Sequence, residues 1–294
     1  MKALYDLPAP AKLNLFLHVV GRRADGYHRL QSAFVLIDWA DTLHLEKRAD
    51  GRILRHDLGP PLPEDDLCLR AARLLQAEAG TAQGVDISIH KRVPSGAGMG
   101  GGSSDAATVL LGLNRLWGLN RPRAWLLPLA LKLGADVPFF VGGTDAFVEG
   151  IGEVLRPIHL PRQWYAVVKP AASLPTAAIF THPALTRDTE AVIVEGSLED
   201  APQVAAWSAG WGRNDLQPVA EALCSEVAQA ARCLEQVYGH SRMTGSGSAV
   251  FSRAGAEGSP VAMPTALQDL AGAAGWEARM CRGLGEHPLR GFAD

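Results

Sequence analysis

Five glycines fall within residues 96–102 of this 294-residue chain, in the run Ser95-Gly96-Ala97-Gly98-Met99-Gly100-Gly101-Gly102-Ser103-Ser104-Asp105. Ahead of the run, residues 85–89 alternate apolar and polar side chains, which predicts a half-buried strand. Pro94 ends that strand because it has no N–H for a ladder. Behind the run, Val109, Leu110, Leu113 and Leu116 share one face of a helix predicted over 106–117. So many glycines are an entropic cost in a loop that only connects two elements. They are tolerated where a backbone must come close to another group with its N–H groups free. A helix N-terminus directly behind adds unpaired N–H donors and a positive dipole end, which favour an anion. Strand, glycine loop and helix predict a phosphate cradle.

Other readings of the same residues stand beside it. A hinge is also glycine-rich, and Ser103, Ser104 and Asp105 can act simply as caps. Gly96, Gly98 and Gly101 satisfy the Gly-x-Gly-x-x-Gly spacing of dinucleotide sites. That fold needs a second strand after the helix, whereas here residues 118–122 lead into another helix. No Gly-Lys-Ser/Thr follows the glycines, so the P-loop form is absent.

Around the loop, alternation predicts a strand over 13–19, with residues 8–12 leading into it and Lys12 at its start. Gly21 and Asp25-Gly26 mark a turn. Strands over 30–37 and 42–46 complete an antiparallel set, since the connections are too short for parallel crossovers. Asp65 or Asp66 caps a helix that runs to Ala79 and stops at Gly80. Further helices are predicted over 124–133, 218–238 and 267–272, and strands over 147–149, 154–158, 164–168, 249–251 and 276–281. Residues 170–180 read as irregular, and 181–213 as loop and short helix. Strands and helices mix without strict alternation, so the expected class is α+β. A chain of this length divides in two. The boundary is expected within 157–162, giving units 1–158 and 159–294.

The net charge of −3 gives no electrostatic case for nucleic acid or an anionic membrane. No uncharged apolar run reaches 18 residues. Cys68, Cys224, Cys233 and Cys281 show no metal spacing, so free thiols of a reducing cytoplasm are expected. The expectation is a soluble cytoplasmic protein, monomer or weak homodimer, whose partner is a small molecule.

Phosphoryl transfer needs positioned phosphates, a cation and a base on the attacking hydroxyl. Asp136, in Gly134-Ala135-Asp136-Val137-Pro138-Phe139-Phe140, lies between small and bulky apolar residues. It is either a half-buried base with a cation such as Lys12 beside it, or a turn residue at a helix end. A lone lysine ahead of a strand is usually solvated. Tyr27, His28 and Phe180 lie in predicted loops, where aromatic rings either stack on a flat ligand or pack locally.

Taken together, these segments resemble a known family. The run from Pro94 to Asp105 is similar to the central ATP motif of the GHMP small-molecule kinases, typified by galactokinase, homoserine kinase, mevalonate kinase and phosphomevalonate kinase. Pro10-Ala11-Lys12-Leu13-Asn14-Leu15 resembles their first motif and Thr244-Gly245-Ser246-Gly247 their third. Arg23-Ala24-Asp25-Gly26-Tyr27-His28, Gly134-Ala135-Asp136-Val137-Pro138-Phe139 and Asn214-Asp215-Leu216 narrow the resemblance. They point to the branch that phosphorylates the 2-hydroxyl of a diphosphocytidyl methylerythritol on the non-mevalonate route to isoprenoid precursors.

The resemblance spans residues 8–251. It implies an S5-like N-terminal domain, a ferredoxin-like C-terminal domain and a site between them, with ATP as phosphoryl donor and Mg²⁺. It also implies Asp136 as catalytic base and Lys12 as the cation beside it. Pro94, Ser95, Gly96, Ala97, Gly98, Met99, Gly100, Gly101, Gly102, Ser103 and Ser104 would bind ATP. Tyr27, His28 and Phe180 would hold cytosine, with Asn14 near the reacting end. No protein metal ligand is assigned, although the Ser103 and Ser104 hydroxyls could serve. Met99 stands where leucine is common, at similar volume. Ser248 stands where alanine or cysteine is common, which bears on contacts of the third motif. Two alternatives remain. Another kinase of the superfamily has no base for Tyr27, His28 and Phe180 to hold, and a non-catalytic nucleotide-binding module has no need of Lys12 and Asp136 together.

Overall fold

The computed structural model describes residues 1–194 and 202–294. Its first sheet is built on two very long antiparallel strands, β1 (Ala3–Arg22) and β2 (His28–Arg48). The sequence divides β2 into two strands and starts β1 only at Leu13, and the structure corrects both. Ala11 pairs with Ile37 while Pro10 pairs with Ala40, so Asp38 and Trp39 form a bulge that bends the ribbon without ending it. Pro8 and Pro10 sit inside β1 because no other strand pairs along its second edge, and a proline there costs no ladder bond. Lys12 is therefore mid-strand.

On its other edge β2 pairs with β4 (Gly84–His90) through residues 42–48 and with β5 (Ala146–Glu149) through residues 32–34. A short strand that the sequence pattern does not mark, β3 (Ile53–Asp57), runs parallel to β4, and α1 (Leu67–Ala79) crosses between them. Asp66 is the residue that caps α1, accepting from the Leu69 N–H at 3.0 Å, and Gly80 closes it in the left-handed conformation. The helix α2 (Gly101–Leu116) starts five residues earlier than predicted, so Gly101, Gly102, Ser103 and Ser104 form its first turn. Next come α3 (Arg123–Leu133), the six-residue α4 (Val137–Gly142), β5, and β6 (Val154–Pro157), which pairs with β5.

The second sheet is antiparallel. It is formed by β7 (Gln163–Lys169), β8 (Arg242–Met243), β9 (Val250–Ala256), β10 (Ser259–Pro260) and β11 (Glu277–Arg282), ordered β10-β9-β7-β11 with β8 also on β9. Its helices are α5 (Thr176–Thr181), α6 (Pro202–Ser208), α7 (Gln217–Leu223), α8 (Ser225–Tyr238) and α9 (Thr265–Ala273). The single helix expected over 218–238 is two, because Cys224 takes an extended conformation between α7 and α8. Phe180, read as a loop residue, lies in α5.

Three apolar clusters stack the layers. One packs α1–α4 on the outer face of the first sheet, and it takes in Leu289 and Ala293 from the end of the chain. A second, with Leu13, Leu15, Phe16, Val167 and Phe251, joins the inner faces of the two sheets. A third packs α8 and α9 on the far face of the second sheet. The order is helices, sheet, sheet, helices: an α+β fold with an S5-like first half and a ferredoxin-like second half. No helix of the described residues is long and apolar enough to cross a membrane.

Candidate active site

The second edge of β1 is where the site is assembled. Its backbone groups lack a neighbouring strand, and a buried N–H must find an acceptor. The Lys12 N–H donates to the Met99 carbonyl of the glycine loop at 3.0 Å. The Asn14 N–H donates to Thr244 Oγ1 at 3.0 Å. Leu17 exchanges bonds with the segment 213–215, donating to the Arg213 carbonyl and accepting from the Asp215 N–H, both at 2.9 Å. Three stretches far apart in sequence are thus laid along one strand.

Alternation along β1 turns Leu13 and Leu15 into the inter-sheet core and leaves Lys12 and Asn14 on the other face, lining a cavity of about 770 Å³. Lys12 is only 3% exposed. Its Nζ donates to Asn14 Oδ1 at 2.6 Å, lies 3.7 Å from Asp136 Oδ2 and sits 4.5 Å above the Phe34 ring. Burial pulls the Lys12 ammonium below its ordinary range, and the Asp136 carboxylate pulls it part of the way back. Asp136 is the N-cap of α4, yet its side chain makes no cap bond and remains one-third exposed (33%). Lys12 is its recorded partner among the described residues, so the carboxylate is otherwise free to accept a proton. Asn14 is a hub, accepting also from the Gly245 N–H (2.8 Å) and Thr244 Oγ1 (3.1 Å) and donating to Ser32 Oγ (3.0 Å).

The glycine loop and the 244–248 loop interlock. Ser248 donates its N–H to the Gly96 carbonyl at 3.0 Å, and Ala249 donates to Ala97 at 3.2 Å. Gly98, at φ 73°, leaves no space for a side chain: a Cβ would lie 2.2 Å from the Thr244 carbonyl oxygen. Ser248 directs its hydroxyl to the Ala172 carbonyl, outside the cavity lining. The base of the loop is pinned by a group that the sequence pattern does not mark. Lys91 bridges the buried Asp41 to Asp105 of α2, and Asp41 also accepts from the Arg92 and Val93 N–H groups. Asp105 is therefore a tether within the protein.

Gly100 has φ 71°, and a Cβ there would meet Phe140 Cζ at 2.9 Å and Lys12 Cε at 3.4 Å. Gly100→Val combines a β-branched side chain with a positive φ and pushes on Lys12. Its expected result is a loss of ATP affinity and turnover larger than the loss of thermal stability, checked by nucleotide titration alongside thermal melts. Unchanged ATP affinity in a folded variant would end the phosphate-cradle interpretation.

The same cavity is also lined by Tyr27, His28 and Phe180. The His28 and Phe180 rings stack, with centroids 5.2 Å apart and planes 29° from parallel. Tyr27 is 62% exposed at the rim. Arg187, Arg22, Ser32, Thr176 and Ser246 also line the cavity or bond across its wall, and single-residue patterns in the sequence carry no signal for them. All four cysteines are free.

A cavity lined by two interlocked glycine loops, a lysine–aspartate pair and aromatic rings can be compared with known proteins. Residues 66–144 match the model for the GHMP kinases N terminal domain, and residues 192–263 match that for GHMP kinases C terminal. A 4-diphosphocytidyl-2-C-methyl-D-erythritol kinase of Methylibium petroleiphilum is 60% identical over 289 residues, 98% of each chain. One of Variovorax paradoxus is 53% identical over 304 residues, covering all of both. A crystal structure of 4-(cytidine 5'-diphospho)-2C-methyl-D-erythritol kinase superposes with a TM-score of 0.75 at 35% identity, over 95% of this chain and 100% of that one. Homoserine kinase from Cytophaga hutchinsonii, at 15% identity and a TM-score of 0.72 over 98% and 96%, shares the fold. The chain belongs to the GHMP kinases, and among them to the family of the 4-diphosphocytidyl-2-C-methyl-D-erythritol kinases.

Proposed function

We propose that this protein transfers the γ-phosphoryl group of ATP to the 2-hydroxyl of 4-diphosphocytidyl-2-C-methyl-D-erythritol. The observation that carries the proposal is the Lys12–Asp136 pair, 3.7 Å apart in one cavity that the glycine loops and the aromatic residues also line. The loops 96–102 and 244–248 cradle the phosphates with backbone N–H groups. Asp136 accepts the hydroxyl proton as the phosphoryl group arrives, and Lys12 offsets the charge that builds on the transferring oxygens. Asn14 holds Lys12 in place, which lowers the reorganisation needed during transfer.

Among the described residues no cluster of three His, Cys, Asp or Glu could hold a resident metal. That suits Mg²⁺ arriving on ATP, where phosphate oxygens supply most ligands and one or two protein oxygens suffice. The Ser104 hydroxyl, buried and without a partner among the described residues, and the Ser103 hydroxyl beside it are the protein oxygens at the start of α2. Mg²⁺ there would neutralise phosphate charge. The protein acts in the cytoplasm as a monomer or weak homodimer, and its two domains meet at residues 158 and 159, between β6 and β7.

Cytosine stacks on Phe180, with Tyr27 free at the rim to cover it. Phe180→Ala is expected to cost roughly 1–3 kcal/mol of substrate affinity, the scale of base–aromatic stacking, with ATP affinity nearly unchanged. Equal losses for both ligands in titration calorimetry would point to a folding defect instead. The overall proposal is tested by coupled ATP consumption with 4-diphosphocytidyl-2-C-methyl-D-erythritol, homoserine, mevalonate and galactose as acceptors. Turnover confined to the first is expected. Preference for any of the others would overturn the proposal.

A further inference from the structure

Arg187 lies in the segment after α5 and makes four hydrogen bonds around the nucleobase end of the cavity. Its Nη1 donates to the Leu185 carbonyl at 2.9 Å, and its Nη2 to the carbonyls of Phe180 at 3.1 Å and His182 at 2.7 Å. The fourth bond runs from Nε to His28 Nε2 at 3.1 Å. A guanidinium carries only donors and keeps its proton at any physiological pH. The ring nitrogen it faces must therefore present a lone pair. In a neutral imidazole the proton is then on the other nitrogen, Nδ1. Among the described residues His28 Nδ1 has no acceptor, although His28 lines the cavity and its ring is held against Phe180.

We propose that Arg187 is a positioning residue that locks His28 in its neutral Nδ1–H form, so that His28 offers a single fixed donor to the acceptor edge of a bound pyrimidine. Cytosine presents adjacent acceptors at N3 and O2, whereas uracil carries a hydrogen at N3. A fixed donor against that edge favours the cytosine ring, and an imidazole free to exchange its tautomers would favour it less. The charges around the ring reinforce the lock. Arg187 and Arg22, which pairs with His28 across the β1–β2 ribbon, are both cationic, and Asp25 in the turn is paired to Arg23. Burial first, then these two arginines, holds His28 below its ordinary range, so it stays neutral. The proposal rests on the nucleobase end of the proposed function.

The tautomer can be read without any substitution, from the ¹⁵N chemical shifts of the His28 ring in the full chain. A protonated Nδ1 and a bare Nε2 are expected, and the opposite pattern would overturn the proposal. Addition of 4-diphosphocytidyl-2-C-methyl-D-erythritol should shift Nδ1 in particular. If turnover is normal and the ring signals do not respond, the nucleobase end is misplaced and the proposal falls with it. A response from an Nε2–H ring would defeat the Arg187 proposal alone.

Kinetics supply the second test. In Arg187→Met the ring is free to move its proton to Nε2, so KM for the cytidine substrate should rise roughly three- to tenfold at pH 8, the scale of one hydrogen bond. KM for ATP should stay level. At acid pH the released imidazole, no longer facing the Arg187 guanidinium, becomes protonated on both nitrogens and regains its Nδ1–H. The variant's KM should then approach that of the unaltered protein as the pH falls. A KM ratio that is constant with pH, or an equal rise for ATP, would mean that Arg187 only braces the loop. His28→Asn, whose amide can place a donor where Nδ1 lies, should bind the substrate more tightly than His28→Gln, and the reverse order would also count against the proposal.

Discussion

Asp136→Asn is expected to lower turnover by about 10²–10⁴-fold, the usual worth of general-base assistance, while both ligands still bind. The side chain is a sensitive one to change because its carboxylate is not occupied by structural duties. It makes no cap bond to α4, and its recorded partner is Lys12 at 3.7 Å. Asparagine keeps the shape and removes the basic oxygen, so a stability loss beyond a few tenths of a kcal/mol is not expected at this partly exposed position. Steady-state kinetics under saturating Mg²⁺ and ATP, paired with ligand titrations, provide the check. Near-normal turnover would remove the general base from the mechanism.

Lys12→Met should be comparably severe, for two reasons that the geometry separates. In the proposed mechanism the ammonium is the positive charge that stabilises the transferring phosphoryl oxygens. It is also one of three donors on Asn14 Oδ1, the others being the Gly245 N–H and the Thr244 hydroxyl. Methionine preserves most of the apolar stem while giving up the ammonium over Phe34, so the protein should fold. The proposed mechanism has Lys12 and Asp136 acting on one transition state, so the double variant should be far less impaired than the product of the two single losses. Multiplicative losses would show that the residues work independently.

The glycine loop and its flanks were legible because their signals are local. Alternation over 85–89, the helical stripe of Val109, Leu110, Leu113 and Leu116, and the stops at Pro94 and Gly80 each depend on neighbours a few residues away. The failures have local causes too. Pro8 and Pro10 look like strand breakers, and Asp38-Trp39-Ala40-Asp41 looks like a gap between strands. A proline is harmful only where its missing N–H was needed, and no residue shows from its own identity that it lies on an unpaired edge. Cys224 likewise gives no sign that it ends one helix and begins another.

Lys12 and Asp136 could be nominated as candidates from the chain, and the motif resemblance assigned them roles. Their nearness is another matter. From the residues alone, Lys12 is a lone lysine ahead of a strand, and such a lysine is usually solvated. Its burial to 3% and its contact with Asp136 are made by the sheet, which closes β2 against β1 and brings α4 over the same face. Arg187, Asp41 and Lys91 had no pattern at all, since the contacts of Lys91 with Asp105 and Asp41, of Asp41 with Val93 and of Arg187 with His28 span 14 to 159 residues. The amino-acid order settled the strand, the loop and the body of the helix, which follow from short-range sterics and periodicity. The tertiary structure alone decided which of them meet. The unpaired edge of β1 needs acceptors and donors, and the chain supplies them from Met99, Arg213, Asp215 and Thr244, residues that only a completed fold can bring to one strand.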